Sequence, residues 1–106
     1  MSKVVENFLR YVAIDTQSQD DQEAVPSTEK QKVRARLLVE ELSALGVADA
    51  RTDEHGYVYG TIPATPGKED LPVLGFIAHM DTSPAVSGAN VQARIVKEYD
   101  GGDIRL

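Results

Sequence analysis

Few residues in this sequence can carry chemistry, and their types narrow what it could be. Among 106 residues there is no cysteine and there are two histidines, His55 and His79. The missing thiols remove disulfides, thiolate ligands, thiol nucleophiles and redox switching together. Any metal must then be held by His, Asp or Glu. His79 sits in Ala78-His79-Met80-Asp81, at the end of the apolar run Val73 to Ala78. In extended backbone, residues i and i+2 project to one side, so His79 and Asp81 can face a crevice together while Met80 points back toward the core. If the imidazole binds a divalent cation through one nitrogen, a carboxylate accepting the other N–H fixes the tautomer and raises the basicity of the ligand. A polar pair that caps loop backbone is the alternative. Nine Asp occur in the sequence, so an Asp two places after one of two His arises by chance about one time in six, and the spacing leaves both uses open.

The other candidates have simpler explanations. His55 lies in Glu54-His55-Gly56, where turn chemistry accounts for it. Asp100-Gly101-Gly102-Asp103 reads as a turn, because it lacks the twelve-residue spacing and final Glu of a calcium loop. There is no G-x-S-x-G nucleophile elbow, no G-x-x-x-x-G-K-[ST] phosphate loop and no G-x-G-x-x-G.

The elements that must position His79 and Asp81 follow from periodicity. Val4, Val5, Phe8, Leu9 and Val12 form a helical stripe, which predicts an amphipathic helix from about Ser2 to Ile14. Asp15 to Ser27 is nearly devoid of apolar residues and reads as a long solvated loop, of the kind that is often functional or mobile. Thr28 with Gln31 matches a capping box, Val33, Leu37, Leu38, Leu42 and Leu45 follow at helical spacing, and Gly46 is the expected stop. Lys30, Lys32, Arg34 and Arg36 lie in the N-terminal half of that helix, with Glu40 and Glu41 near its end, an order that opposes the helix dipole. A solvated face or a docking surface would each account for it.

From Val47 the period changes. Tyr57, Tyr59 and Thr61 alternate with Val58, Gly60 and Ile62 after the 54–56 turn, which suggests a hairpin. Pro63 to Asp70 reads as an exposed linker. Val73 to Ala78 shows no alternation, the pattern of a strand covered on both faces of an α/β sheet, and ligands of such sheets bind beyond the carboxyl ends of the strands. The expected fold class is α/β in the order helix-helix-strand-strand-strand, a mixed sheet with helices packed on it. Such a strand needs sheet neighbours and helices on each side, so exposed apolar edges and marginal stability are expected, and Ile104-Arg105-Leu106 could begin a further element.

Composition bounds the partners. Eleven Lys and Arg against seventeen Asp and Glu give a net charge of −6, which disfavours nucleic acid and anionic membrane. The longest apolar run, Leu71 to Ala78, is far short of the roughly 20 residues of a membrane span. Lys3, Glu6, Arg10, Asp15 and Asp20 interrupt the first twenty residues, so no secretory signal is expected and the cytoplasm is the expected compartment.

Five blocks add a resemblance that composition and spacing do not supply. YVAIDTQS (Tyr11 to Ser18), VPSTE (Val25 to Glu29), GFIAHMDTSP (Gly75 to Pro84), SGANV (Ser87 to Val91) and YDGGDI (Tyr99 to Ile104) run in order along the chain. Together they resemble the N-terminal part of the peptidase T family, tripeptide aminopeptidases among the di-zinc exopeptidases. The resemblance implies that His79 is a ligand of one zinc and that Asp81 is the active-site residue orienting it. It also implies two Zn2+ per complete subunit and further ligands later in the chain: a bridging Asp, an adjacent Glu-Glu pair supplying the general base, another Asp and a late His. The implied reaction is metal-assisted hydrolysis releasing the N-terminal residue from short peptides, with the paired ions acidifying a bridging water. At Ala85 the sequence departs from relatives that carry Asp after the TSP, which bears on loop contacts and not on the metal.

A catalytic zinc takes three protein ligands, and this chain offers one. Residues 1–106 are therefore expected to be an N-terminal fragment of a metallopeptidase catalytic domain, inactive alone. The rest of that domain and a lid or dimerisation domain are expected to be missing, and a homodimer would be a property of the full-length parent. A related di-zinc dipeptidase or amidohydrolase is the first alternative, and a non-enzymatic binding module, should the gene end at Leu106, is the second.

Overall fold

A computed structural model describes residues 1–105. Its regular elements are helix α1 (Lys3–Val12), helix α2 (Gln31–Ala44) and two short strands, β1 (Arg51–Thr52) and β2 (Val58–Tyr59). The helices fall inside the ranges read from the sequence. The C-terminus of α2 shows why Gly46 stops it: Gly46 takes a φ of 93°, its N–H donates to Ser43 O at 3.0 Å, and the Val47 N–H donates to Leu42 O at 3.0 Å. Those two bonds are a Schellman motif, which needs a left-handed residue at that position.

The N-terminus of α2 differs from expectation. Thr28 and Gln31 form no capping box, since the Thr28 hydroxyl donates to Gln17 O at 2.8 Å and the Gln31 side-chain amide donates to the Thr28 oxygen at 3.0 Å. The tertiary partner wins the hydroxyl, and a turn closed by Gln31 N to Thr28 O at 3.3 Å leads into the helix instead.

The hairpin forms as predicted. Arg51 pairs with Tyr59 and Thr52 with Val58, antiparallel. Gly56 sits at φ 80° and donates to Asp53 O at 3.1 Å, while the Asp53 carboxylate accepts from the N–H groups of His55 (3.0 Å) and Tyr57 (2.9 Å). His55 is thus a turn residue. The hairpin packs on α2, and Gly60 approaches so closely that a Cβ there would lie 2.9 Å from Val47 Cγ1 and 3.4 Å from Leu42 Cδ1.

The third strand is the main correction. Residues 73–78 form no strand, and the sheet has two strands, so the three-strand order is not what the described residues adopt. A strand needs a neighbour for its N–H and C=O groups. The two-residue ribbon offers none to this segment. Phe76 and Ile77 are consequently 90% and 102% exposed. The apolar stripes are also incompletely covered: Val4, Phe8, Val33 and Leu45 lie exposed, while Ala35 and Thr16 are buried outright. The radius of gyration of 17.4 Å exceeds the roughly 13 Å of a compact domain this long, in keeping with an open arrangement.

Residues 63–70 are an exposed linker and 100–103 a bend with Gly101 at φ 86°, both as read from the sequence. The element considered from Ile104 falls partly on Leu106, which lies outside the described residues. No helix among the described residues is long and apolar enough to cross a membrane.

Candidate functional site

His79 and Asp81 meet. The imidazole Nδ1 lies 3.0 Å from Asp81 Oδ1, with the ring side chain 86% exposed and the carboxylate side chain 38% exposed. An ionised carboxylate can only accept, so Nδ1 carries the hydrogen, and a neutral imidazole then keeps its lone pair on the exposed Nε2. Met80 points elsewhere: with Phe8, Tyr11, Val12 and Ile14 it lines a cavity of about 450 Å³ that His79 and Asp81 do not touch. The two-residue alternation read from the sequence therefore holds locally, although the flanking run is not a strand.

The pair is held by a segment that sequence reasoning treated as a solvated loop. Thr82, next to Asp81, forms a parallel bridge with Gln17: its N–H donates to Thr16 O at 3.1 Å and its carbonyl accepts from Ser18 N at 2.9 Å. The Ser18 hydroxyl donates to the same carbonyl at 3.0 Å. Residues 15–18 are fixed in turn by Asp15, whose carboxylate accepts from Lys30 Nζ at 2.8 Å and from Gln17 N at 3.0 Å. The Lys30 ammonium first, and then the Gln17 N–H, hold the Asp15 carboxyl below the usual carboxylate range. Gly88 closes on this corner, where a Cβ would stand 2.8 Å from Asp15 Oδ1. The Ala85 N–H is satisfied by the Ser83 hydroxyl at 3.2 Å.

Helix α2 anchors the arrangement to α1. Arg34 donates to Tyr11 O at 3.0 Å and stacks its guanidinium 3.9 Å from the centroid of the Tyr11 ring. The Tyr11 hydroxyl donates to Glu41, which also pairs with Arg10. The hydrogen bond to Glu41, followed by burial, raises the Tyr11 pKa, while burial lowers that of Arg34. Of the four cations noted on this helix, Lys30, Lys32 and Arg34 thus have partners, at Asp15, Glu29 and Tyr11. Their order follows from neighbouring elements and not from the helix dipole.

His79 with Asp81 fits one corner of a zinc site, an imidazole with a free nitrogen and an acid behind it. Among the described residues no group of three or more His, Asp or Glu gathers to complete one. The crevice expected beside the pair is not among the two cavities lined by the described residues, neither of which His79 or Asp81 touches. Gln17 and Thr16 are what the sequence does not single out as functional, and the YVAIDTQS block is the signal that holds both.

No protein-family model matches this chain. Curated relatives do. Peptidase T of Desulfitobacterium hafniense (strain Y51) is 60% identical over 106 residues, covering 100% of this chain and 25% of that protein. Peptidase T of Clostridium botulinum (strain 657 / Type Ba4) is 50% identical over 106 residues, and that of Geobacillus sp. (strain WCH70) 48% identical over 105 residues. The chain spans about a quarter of the length of the curated relatives it matches. Along its whole length, and not only in five blocks, this chain resembles peptidase T, as the N-terminal part of such a protein.

Proposed function

We propose that this chain is the N-terminal part of the catalytic domain of a cytoplasmic zinc aminopeptidase that releases the N-terminal residue from tripeptides. The observation that carries the proposal is the 3.0 Å contact of His79 Nδ1 with Asp81 Oδ1, which leaves Nε2 exposed and in the tautomer a metal requires. Likeness to Peptidase T over all 106 residues supports a peptide substrate.

His79 would hold one of two zinc ions through Nε2, and Asp81 would keep the ring from turning. Zinc, when bound, supplies Lewis acidity to a peptide carbonyl and makes water a nucleophile near neutral pH. The work of this chain is orientation: Asp81 holds the hydrogen on Nδ1, and Thr82 fixes Asp81 by its bridge to Gln17. The remaining ligands and the general base would come from the rest of the parent's catalytic domain, with a lid or dimerisation domain beside it. Residues 1–106 alone would not hydrolyse peptides.

The test uses the longer protein that contains this chain. Tripeptide hydrolysis and bound zinc are measured for the parent and for His79→Ala. We expect zinc content to fall and hydrolysis to drop by about 100-fold or more. A His79→Ala protein with undiminished zinc and activity would remove His79 from the metal site.

A further inference from the structure

We propose that Gln17 is the positioning residue for the His79–Asp81 pair, a proposal that rests on the metal-ligand role given to His79 above. Residues 72–81 make no backbone hydrogen bond among the described residues, so beyond Met80, which lines the cavity beside α1, no main-chain contact upstream orients the pair. Its placement comes from the other side, residues 82–86. There Gln17 is the node. Its side-chain amide has two hydrogens to give. One goes to Pro84 O at 3.0 Å and the other to Val86 O at 3.1 Å.

The base of that side chain is itself fixed on both sides. Gln17 N donates to Asp15 Oδ1 at 3.0 Å and Gln17 O accepts from the Thr28 hydroxyl at 2.8 Å. The bridge from Thr16 and Ser18 to Thr82 then makes three more bonds, at 3.1, 2.9 and 3.0 Å. A second observation is steric. Gly88, just beyond the gripped loop, lies so close to this corner that a Cβ would stand 2.8 Å from Asp15 Oδ1 and 3.2 Å from Thr82 Oγ1, with Gln17 Cβ in ordinary contact at 3.6 Å. The loop following the site is thereby pressed onto the residues that grip it.

The chemistry singles out glutamine. Glutamate has the same length, but it has no hydrogen to donate and would set a negative charge against two carbonyl oxygens. Asparagine is shorter by one carbon–carbon bond, about 1.5 Å, and falls short of both acceptors. Methionine fills similar volume with no donor.

The experiment compares Gln17→Glu and Gln17→Met in two readouts. Hydrogen exchange on the metal-free longer protein follows the Ser18 and Thr82 amides, with the α2 amides as the folding control. Zinc chloride titration on the longer protein follows metal affinity beside His79→Ala. We expect both variants to speed exchange at Thr82 by about tenfold or more with α2 unchanged, and to weaken zinc binding by about tenfold. Unchanged Thr82 exchange in both variants would overturn the clamp. Faster exchange with zinc affinity kept within twofold, while His79→Ala abolishes it, would overturn the positioning role. Zinc binding indifferent to His79→Ala would sink the metal reading and the positioning role with it, and the exchange arm, which contains no metal, would still decide the clamp.

Discussion

Replacing Asp81 isolates what the carboxylate does for the imidazole. A hydrogen bond to a charged group contributes about 1.5–3 kcal/mol. The Nδ1–Oδ1 separation of 3.0 Å is good geometry, but the His79 and Asp81 side chains are 86% and 38% exposed, so water competes and the lower end applies. About 1.4 kcal/mol is one factor of ten. Asp81→Ala should therefore weaken zinc binding by the parent protein by about tenfold, the lower edge of what removing such a supporting acid costs. Asp81→Asn keeps an accepting oxygen without the charge and should fall between the two, about threefold weaker than wild type. The assay is competition for zinc against a chelator of known affinity, run beside His79→Ala, which should bind more weakly than either. Should Asp81→Ala bind zinc as tightly as wild type while His79→Ala does not, the carboxylate lends the ring nothing and its assigned role is refuted.

Three other outcomes follow from particular contacts. Gly60→Ala places a Cβ 2.9 Å from Val47 Cγ1, and overpacking of this kind should cost about 1–3 kcal/mol. At about 4–8 °C per kcal/mol in a domain of this size, circular dichroism melting will show it, and an unchanged melting temperature would contradict the packing. The Asp15 pKa is lowered by Lys30 and then by Gln17 N–H. Its stabilising effect is therefore complete above the ordinary carboxylate value of about 4 and is lost as pH falls through the lower native value. Asp15→Asn should flatten the acid limb of stability against pH in urea unfolding between about pH 2 and 6; identical slopes in the two proteins would exclude the linkage. Val73, Leu74, Phe76 and Ile77 are 77–102% exposed on an uncharged segment with both edges open. Pairing with a second copy is the available cover, so light scattering should show self-association of the 106-residue chain that Ile77→Lys reduces. A strictly monomeric wild-type chain with a cooperative melt at high temperature would count against it.

Features closed by nearby residues were legible in the sequence. Gly46 and Gly56 sit in turns whose hydrogen bonds span three to five residues, so the glycines and their neighbours carry the information. The His79–Asp81 contact is legible for the same reason, as a two-residue spacing. What failed depends on distant partners. Thr28 has the sequence of a cap, yet its hydroxyl goes to Gln17 O, eleven residues away. Residues 73–78 have the sequence of a buried strand, and a strand forms only where another strand meets it. Gln17 grips carbonyls 67 and 69 residues away, and no spacing or periodicity around it announces this, only its place in the YVAIDTQS block.

The charge order on α2 shows why the long-range contacts prevail. Basic residues near a helix N-terminus cost a few tenths of a kcal/mol each through the dipole, and less where solvent screens them. Arg34, half-buried, gains a charged hydrogen bond to Tyr11 O and a stacked ring, each of which outweighs that cost. Lys30 reaches Asp15, and Asp15 holds the Gln17 N–H. The same bonds that make α2 look wrongly charged in isolation tie it to α1 and to the 15–18 segment. From there the support passes through Gln17 to Thr82, the residue beside Asp81. A sequence that optimised the helix alone, with acids at its start and bases at its end, would remove the cation that holds Asp15 and loosen the corner on which His79 depends.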